Sequence, residues 1–72
     1  MFEKILFGER IRILRIEKNV SQGKLAELLG VTVSQISDLE RGRTTTSLER
    51  LWILADYFEI TTDYLIGRSD KR

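Results

Sequence analysis

The sequence predicts an all-α fold, a compact bundle of about five short helices with a helix-turn-helix at its centre. Two observations carry this expectation. Apolar residues recur at helical spacing in one segment after another, and hydroxyl residues or glycines stand where those segments begin or stop. In addition, the twenty residues from Gln22 to Arg41 hold two short helical patterns that meet at one tight turn. Leu25, Leu28 and Leu29 share one face, Gly30 is free to turn left-handed, and Thr32 starts a new helix whose inward residues are Ile36 and Leu39. Ala26 stands where the two helices would cross, and its small side chain lets their backbones approach.

Taken in order, the chain opens with an amphipathic helix from Phe2 to about Lys18, with Phe7, Ile11 and Leu14 toward the core. Phe2, Leu6, Ile13 and Ile16 form a neighbouring apolar row, read either as a wide core-facing surface or as a contact for a partner or second copy. Asn19 and Val20 end this helix, and Ser21 caps the next. Gly23 falls in the first turn of that second helix, at a cost on the order of 1 kcal/mol relative to alanine. Either the turn is loose enough to tolerate it, or a phosphate or backbone comes close. Thr32 and Gln35 have the spacing of a capping box, which defines where the third helix starts. The polar run Arg41 to Thr46 contains no core residue, and Thr46 with Glu49 predicts a second capping box. Leu48, Leu51, Leu54, Ala55 and Phe58 then make the core face of a fourth helix. Thr61 caps a short last helix through Leu65 and Ile66, stopped by Gly67. One domain therefore spans residues 1–67, and residues 68–72 form a flexible tail.

With 72 residues there is room for one small domain, which buries roughly 60% of the surface its unfolded chain exposes. Cysteine, proline and histidine are all absent, so disulfides, zinc sites built on thiolate or imidazole, and the commonest general base are excluded together. No metal and no cofactor is expected, and catalysis is the least favoured class of function. The apolar runs are short and no secretory segment opens the chain, so the expectation is a soluble, cytoplasmic protein without a membrane span. Net charge is only +1, from 12 basic and 11 acidic residues, so distribution matters more than the sum. Arg10, Arg12, Arg15, Lys24, Arg41 and Arg43 lie near the central motif, and Glu49, Asp56, Glu59 and Asp63 on the later helices. This pattern predicts a polarised molecule with one positive face.

Leu25, Ala26, Leu29, Gly30, Val31, Ile36 and Leu39 stand at the spacing of the helix-turn-helix in phage lambda repressor and Cro-like proteins, also called the xenobiotic response element family. The chain resembles that family from about Gly8 to Gly67. Gly8 to Arg15 is similar to its first helix, and Leu39 to Arg43 to the end of its recognition helix. Ser47 to Leu51 is similar to the start of its fourth helix, and Asp63 to Gly67 to its last. Departures are Gly23, Thr46 where the family often has proline, and Ile13 and Ile16 where it more often has polar residues.

The resemblance implies a lambda repressor-like fold and a sequence-specific double-stranded DNA-binding transcriptional regulator. It further implies a repressor acting as a homodimer on a palindromic operator, with a recognition helix over about residues 32–40 in the major groove. By resemblance Thr32, Val33, Ser34, Ser37 and Asp38 face bases, while Gln35 leans back toward the cap. Val33 offers methyl groups to a thymine methyl, and Ser34 and Ser37 discriminate weakly. Asp38 can accept from a cytosine amino group, and so either specifies a base or deters the wrong ones, or else it pairs within the chain with Arg41 or Arg12. Phosphate contacts fall to Ser21, Gln22, Arg41, Arg43, Thr44 and Thr45. Arg15 and Glu40 match an ion pair that ties the first helix to the end of the recognition helix.

Family members bind as dimers on half-sites roughly 34 Å apart. Trp52, Ile53, Tyr57 and Tyr64 are candidates for the dimer contact, with a place at the core edge as the other reading of Trp52. Antitoxins, which would add a toxin as protein partner, and restriction-modification controllers share this size and fold. No residue separates them from a simple repressor, and an antirepressor is a further possible partner. A protein interaction module that no longer binds DNA is the rival of a different class, and the retained basic and hydroxyl residues on the reading face argue against it.

Overall fold

Hydroxyl side chains start four of the five helices. The computed structural model describes residues 1–72 as α1 (Lys4–Glu17), α2 (Gln22–Leu29), α3 (Val33–Glu40), α4 (Leu48–Phe58) and α5 (Thr62–Ile66). Ser21 accepts from the Lys24 amide at 3.0 Å, Thr32 from Gln35 at 3.1 Å, Ser47 from Arg50 at 3.2 Å and Thr61 from Tyr64 at 3.1 Å. Each bond satisfies an amide that would otherwise lack an intrahelical partner. The box at Thr32 is complete, because the Gln35 side chain accepts from the Thr32 amide at 2.8 Å.

The start of α4 differs from expectation. Ser47, not Thr46, is its cap, so no Thr46–Glu49 box forms. The two hydroxyl residues are adjacent, and it is Ser47 that stands directly before the helix, in extended backbone (φ −70°, ψ 162°), and accepts the capping bond. Leu48, the first helical residue, is 79% exposed rather than in the core, because the part of α4 that packs on the core begins a turn later at Leu51.

The core joins all five helices. Phe7, Ile11 and Leu14 from α1 meet Leu25, Ala26 and Leu29 from α2, Ile36 and Leu39 from α3, Leu54 and Ala55 from α4, and Tyr64 and Leu65 from α5. Leu51 and Phe58 pack on this cluster partly buried. On α1 the second apolar row splits: Leu6 is half-buried, whereas Phe2, Ile13 and Ile16 are exposed, and the Phe2 ring leans on Phe7 with centroids 5.7 Å apart. Gly23 has open space around it, with the Ser21 hydroxyl 3.7 Å from where a Cβ would stand, so no backbone of this chain requires glycine there.

Gly8 is where α1 meets the end of α3. A Cβ at this position would lie 2.2 Å from the Leu39 carbonyl oxygen and 2.7 Å from that of Glu40. Backbone cannot yield as a side-chain tip does, so the missing side chain is what lets α1 rest on the last carbonyls of α3.

Ser69, Asp70 and Arg72 of the last residues make contacts with α1. Arg10, buried under the tail, donates to the carbonyls of Tyr64 and Ser69 and to Asp70 Oδ1, the last two at 2.7 Å. Arg72 makes a two-point contact with Glu17 at 2.7 and 2.9 Å. Hydrogen bonding from Arg72 holds the Glu17 carboxyl below its ordinary pKa.

Two outcomes follow from this packing. Gly8→Ala removes a helix-interior glycine, which in open space would stabilise by about 1 kcal/mol; here the clash reverses the sign, and urea denaturation should show a loss of about 1–3 kcal/mol. For Glu17 the folded pKa is depressed, so its favourable contact is present above the ordinary carboxylate pKa and is lost as pH falls through the folded value. An NMR titration of the Glu17 carboxyl should give a midpoint below that of an unpaired glutamate, returning to the ordinary value in Arg72→Gln.

Candidate nucleic-acid interface

A helix advances 100° per residue, so positions 33, 34, 37 and 38 fall within about 140° of the circumference of α3 and 36 and 39 lie outside that arc, while 40 returns to about 20° from 33 two turns further along. Ile36, Leu39 and Glu40 are buried. Val33 and Ser34 are exposed, Ser37 and Asp38 are half-buried, and Thr32 stands exposed at the tip. This side is open at Val33 and Ser34 and only partly covered at Ser37 and Asp38. Gln35 is held in the capping box and lies apart from the others.

The end of α3 is shaped by Gly42, whose φ of +76° reverses the chain. The Arg43 amide donates to the Asp38 carbonyl at 2.9 Å and the Gly42 amide to the Leu39 carbonyl at 3.1 Å, the paired bonds of a Schellman motif. This reversal brings Arg43 Nη1 to 3.5 Å from Asp38 Oδ1. Asp38 therefore pairs with Arg43, and not with Arg41 or Arg12.

Beneath this end lies a buried charge. The Glu40 side chain is only 3% exposed and accepts from Arg15 Nε at 2.6 Å and Nη2 at 3.2 Å. Arg15 also donates to the Val20 carbonyl at 3.0 Å. Gln22 completes the set, its Nε2 donating to Glu40 Oε1 at 3.1 Å. Gln22 thus gives one of its two amide hydrogens to the protein, which anchors the start of α2 to the end of α3.

The basic residues separate into two groups. Arg10 is turned away from α3, with its guanidinium 4.2 Å over the Tyr64 ring, and Arg15 is committed to Glu40. Arg12, Lys24, Arg41 and Arg43 are exposed, as are Ser21, Thr44 and Thr45. A further positioning contact has no sequence signal: Arg50 of α4 donates from Nε to the Leu29 carbonyl at 3.2 Å, satisfying the end of α2 beside the turn. The four candidates for a dimer contact also separate. Trp52 is exposed, Ile53 and Tyr57 are half-buried, and Tyr64 is buried beneath Arg10, which removes it from that set. Nowhere do three or more acidic, His or Cys side chains converge as a metal site would require.

Residues 11–65 match the family model described as helix-turn-helix. The chain belongs to the Cro/C1-type helix-turn-helix family. This is a family of DNA-binding transcriptional regulators and not of enzymes. The chain is similar to the HTH-type transcriptional regulator AnsR of Bacillus subtilis, with 41% identity over 64 residues, 89% of this chain and 55% of AnsR. Identity with DdrOP3 of Deinococcus deserti is 43% over 58 residues, 81% of this chain and 45% of that regulator. The chain spans about half the length of these curated relatives. Among solved structures it resembles the P22 c2 repressor in complex with a synthetic operator, with a TM-score of 0.81 and 34% identity over 89% of this chain and 97% of that one. It also resembles the restriction-modification controller protein C.AhdI of Aeromonas hydrophila, with a TM-score of 0.73 and 38% identity over 85% and 92% of the two chains.

In this helix-turn-helix chain the Arg15–Glu40 contact ties α1 to the end of α3. Arg15→Ala should leave a buried carboxylate with Gln22 alone and lower stability by about 3–5 kcal/mol in a denaturant titration. Arg15→Lys should recover part of that loss, since an ammonium supplies charge without the planar two-point contact.

Proposed function

We propose that the chain is a sequence-specific double-stranded DNA-binding regulator that acts as a homodimeric repressor on a palindromic operator, with α3 in the major groove. The observation that carries this reading is the exposed side of α3, fixed in place by its capping box and by the Glu40 anchor, beside the exposed Arg41 and Arg43. Thr32, Val33, Ser34, Ser37 and Asp38 then meet base edges, while Ser21, Gln22, Arg41, Arg43, Thr44 and Thr45 meet phosphates. The likeness to the P22 c2 repressor, solved on an operator, supports the same use of this surface.

A small reading surface needs a second copy for useful affinity. Support for a dimer comes from α4, where Leu48 and Trp52, one helical turn apart, are 79% and 65% exposed. Trp52 with Leu48 beside it is therefore the proposed centre of the contact, flanked by Ile53 and Tyr57. No helix is long and apolar enough to cross a membrane, and the proposed place of action is the cytoplasm, where the DNA is. The likeness to C.AhdI favours a second reading, the controller of a restriction-modification operon.

Selection of bound duplexes from a random pool at two salt concentrations tests the proposal. The expected outcome is a two-fold-related motif whose affinity falls steeply with salt, by a slope of about −0.9 per phosphate contact. Recovery of sequence-blind binding only would overturn it. Genes beside the recovered sites in the source genome would distinguish a repressor of other genes from a controller of a restriction-modification operon.

A further inference from the structure

A carboxylate on a surface that meets DNA faces about one phosphate charge per 1.7 Å of duplex, so it opposes binding unless something balances or rewards it. Asp38 is such a carboxylate. Its side chain is 38% exposed on the outward side of α3, and the group that balances it is Arg43, itself 65% exposed. The Schellman reversal at Gly42 builds this proximity into the backbone, because the Arg43 amide is bound to the carbonyl of Asp38 itself. The side-chain contact is loose by comparison: a single approach of 3.5 Å, against 2.6 Å for the buried Arg15–Glu40 pair. An exposed pair of this kind separates at small cost. Arg41, next to the reversal, is exposed and has no ion-pair partner, so Asp38 has engaged one of two neighbouring cations.

We propose that Asp38 and Arg43 form an exchangeable internal ion pair that sets DNA specificity. This rests on the DNA-binding reading above. On any duplex Arg43 can leave Asp38 for a phosphate, and the exchange uncovers the carboxylate. Where Asp38 faces a guanine or a thymine, the bare carboxylate meets only acceptors or a methyl group, and at an adenine the amino donor is flanked by the N7 acceptor, so the gain from the phosphate is offset. Where a cytosine amino group donates to Asp38, the exchange is completed with both charges satisfied. The pair therefore weakens binding to wrong sequences more than to the right one, which is specificity obtained by a penalty and not by added contacts.

The test uses the full chain as wild type, Asp38→Asn, Arg43→Gln and the double variant, titrated with the selected duplex and a scrambled duplex of equal length. Asp38→Asn should raise affinity for the scrambled duplex about threefold or more, and lower the selected-to-scrambled ratio about tenfold. Its base preference at one position of each half-site should move from cytosine toward adenine, for which asparagine is the better partner. Arg43→Gln should cost more affinity for the scrambled duplex in the Asp38→Asn background than in wild type, where the arginine must first give up Asp38. Asp38→Ser, run in parallel, should give the same rise on the scrambled duplex if charge and not shape is responsible. The proposal is overturned if wild type discriminates between the duplexes while Asp38→Asn keeps the same ratio and base preference. A wild type that discriminates nothing overturns the DNA-binding reading, and the ion-pair proposal with it.

Discussion

The buried carboxylate of Glu40 is the point on which the arrangement of the first three helices depends. A charge removed from water must be compensated locally, and here Arg15 of α1 and Gln22 of α2 do so together. Because those partners come from different helices, the contact is also a constraint on position. If α3 slid or rotated, its last residue would lose two donors at once. The exposed side of α3 is therefore held by a contact at the C-terminal end of the same helix.

Helix ends do the remaining positioning. The capping box at Thr32 occupies Gln35, leaving Val33, Ser34, Ser37 and Asp38 as the outward set. At the other end, Gly42 reverses the chain and returns Arg43 to the reading side. A Cβ on Gly42 would stand 2.7 Å from the Ile5 backbone, so glycine is required there twice, by conformation and by the approach of α1. Gly8 admits α1 to the same region from above. Two absent side chains thus shape the join between α1 and the end of α3 alongside the ion pair.

Charge is distributed less simply than the residue list implies. Arg10 and Arg15 are consumed internally, the first between the Tyr64 ring and the tail and the second by Glu40. The positive character near α3 falls to Arg12, Lys24, Arg41 and Arg43, and Arg43 is itself partly balanced by Asp38. With so few free cations, binding that relied on phosphates alone would be weak. A second copy and a specific base contact both become more important in consequence.

The five helices and the caps of three of them were legible in the spacing of residues along the chain. Ser21, Thr32 and Thr61 act over three residues and Gly30 and Gly67 at single positions, so their roles are local and survive any packing. Periodicity likewise assigned Phe7, Ile11, Leu25, Ile36 and Leu54 to the interior, because amphipathic spacing is a property of one helix at a time. Tertiary structure alone decided which side chains met. Tyr64 lies inside with Arg10 over its ring, Leu48 is exposed where α4 has not yet reached the core, and Asp38 meets Arg43 because Gly42 reverses the chain. Each of these outcomes depends on competition between neighbours or on the approach of a distant segment. Neither quantity is written in the spacing of residues along the chain.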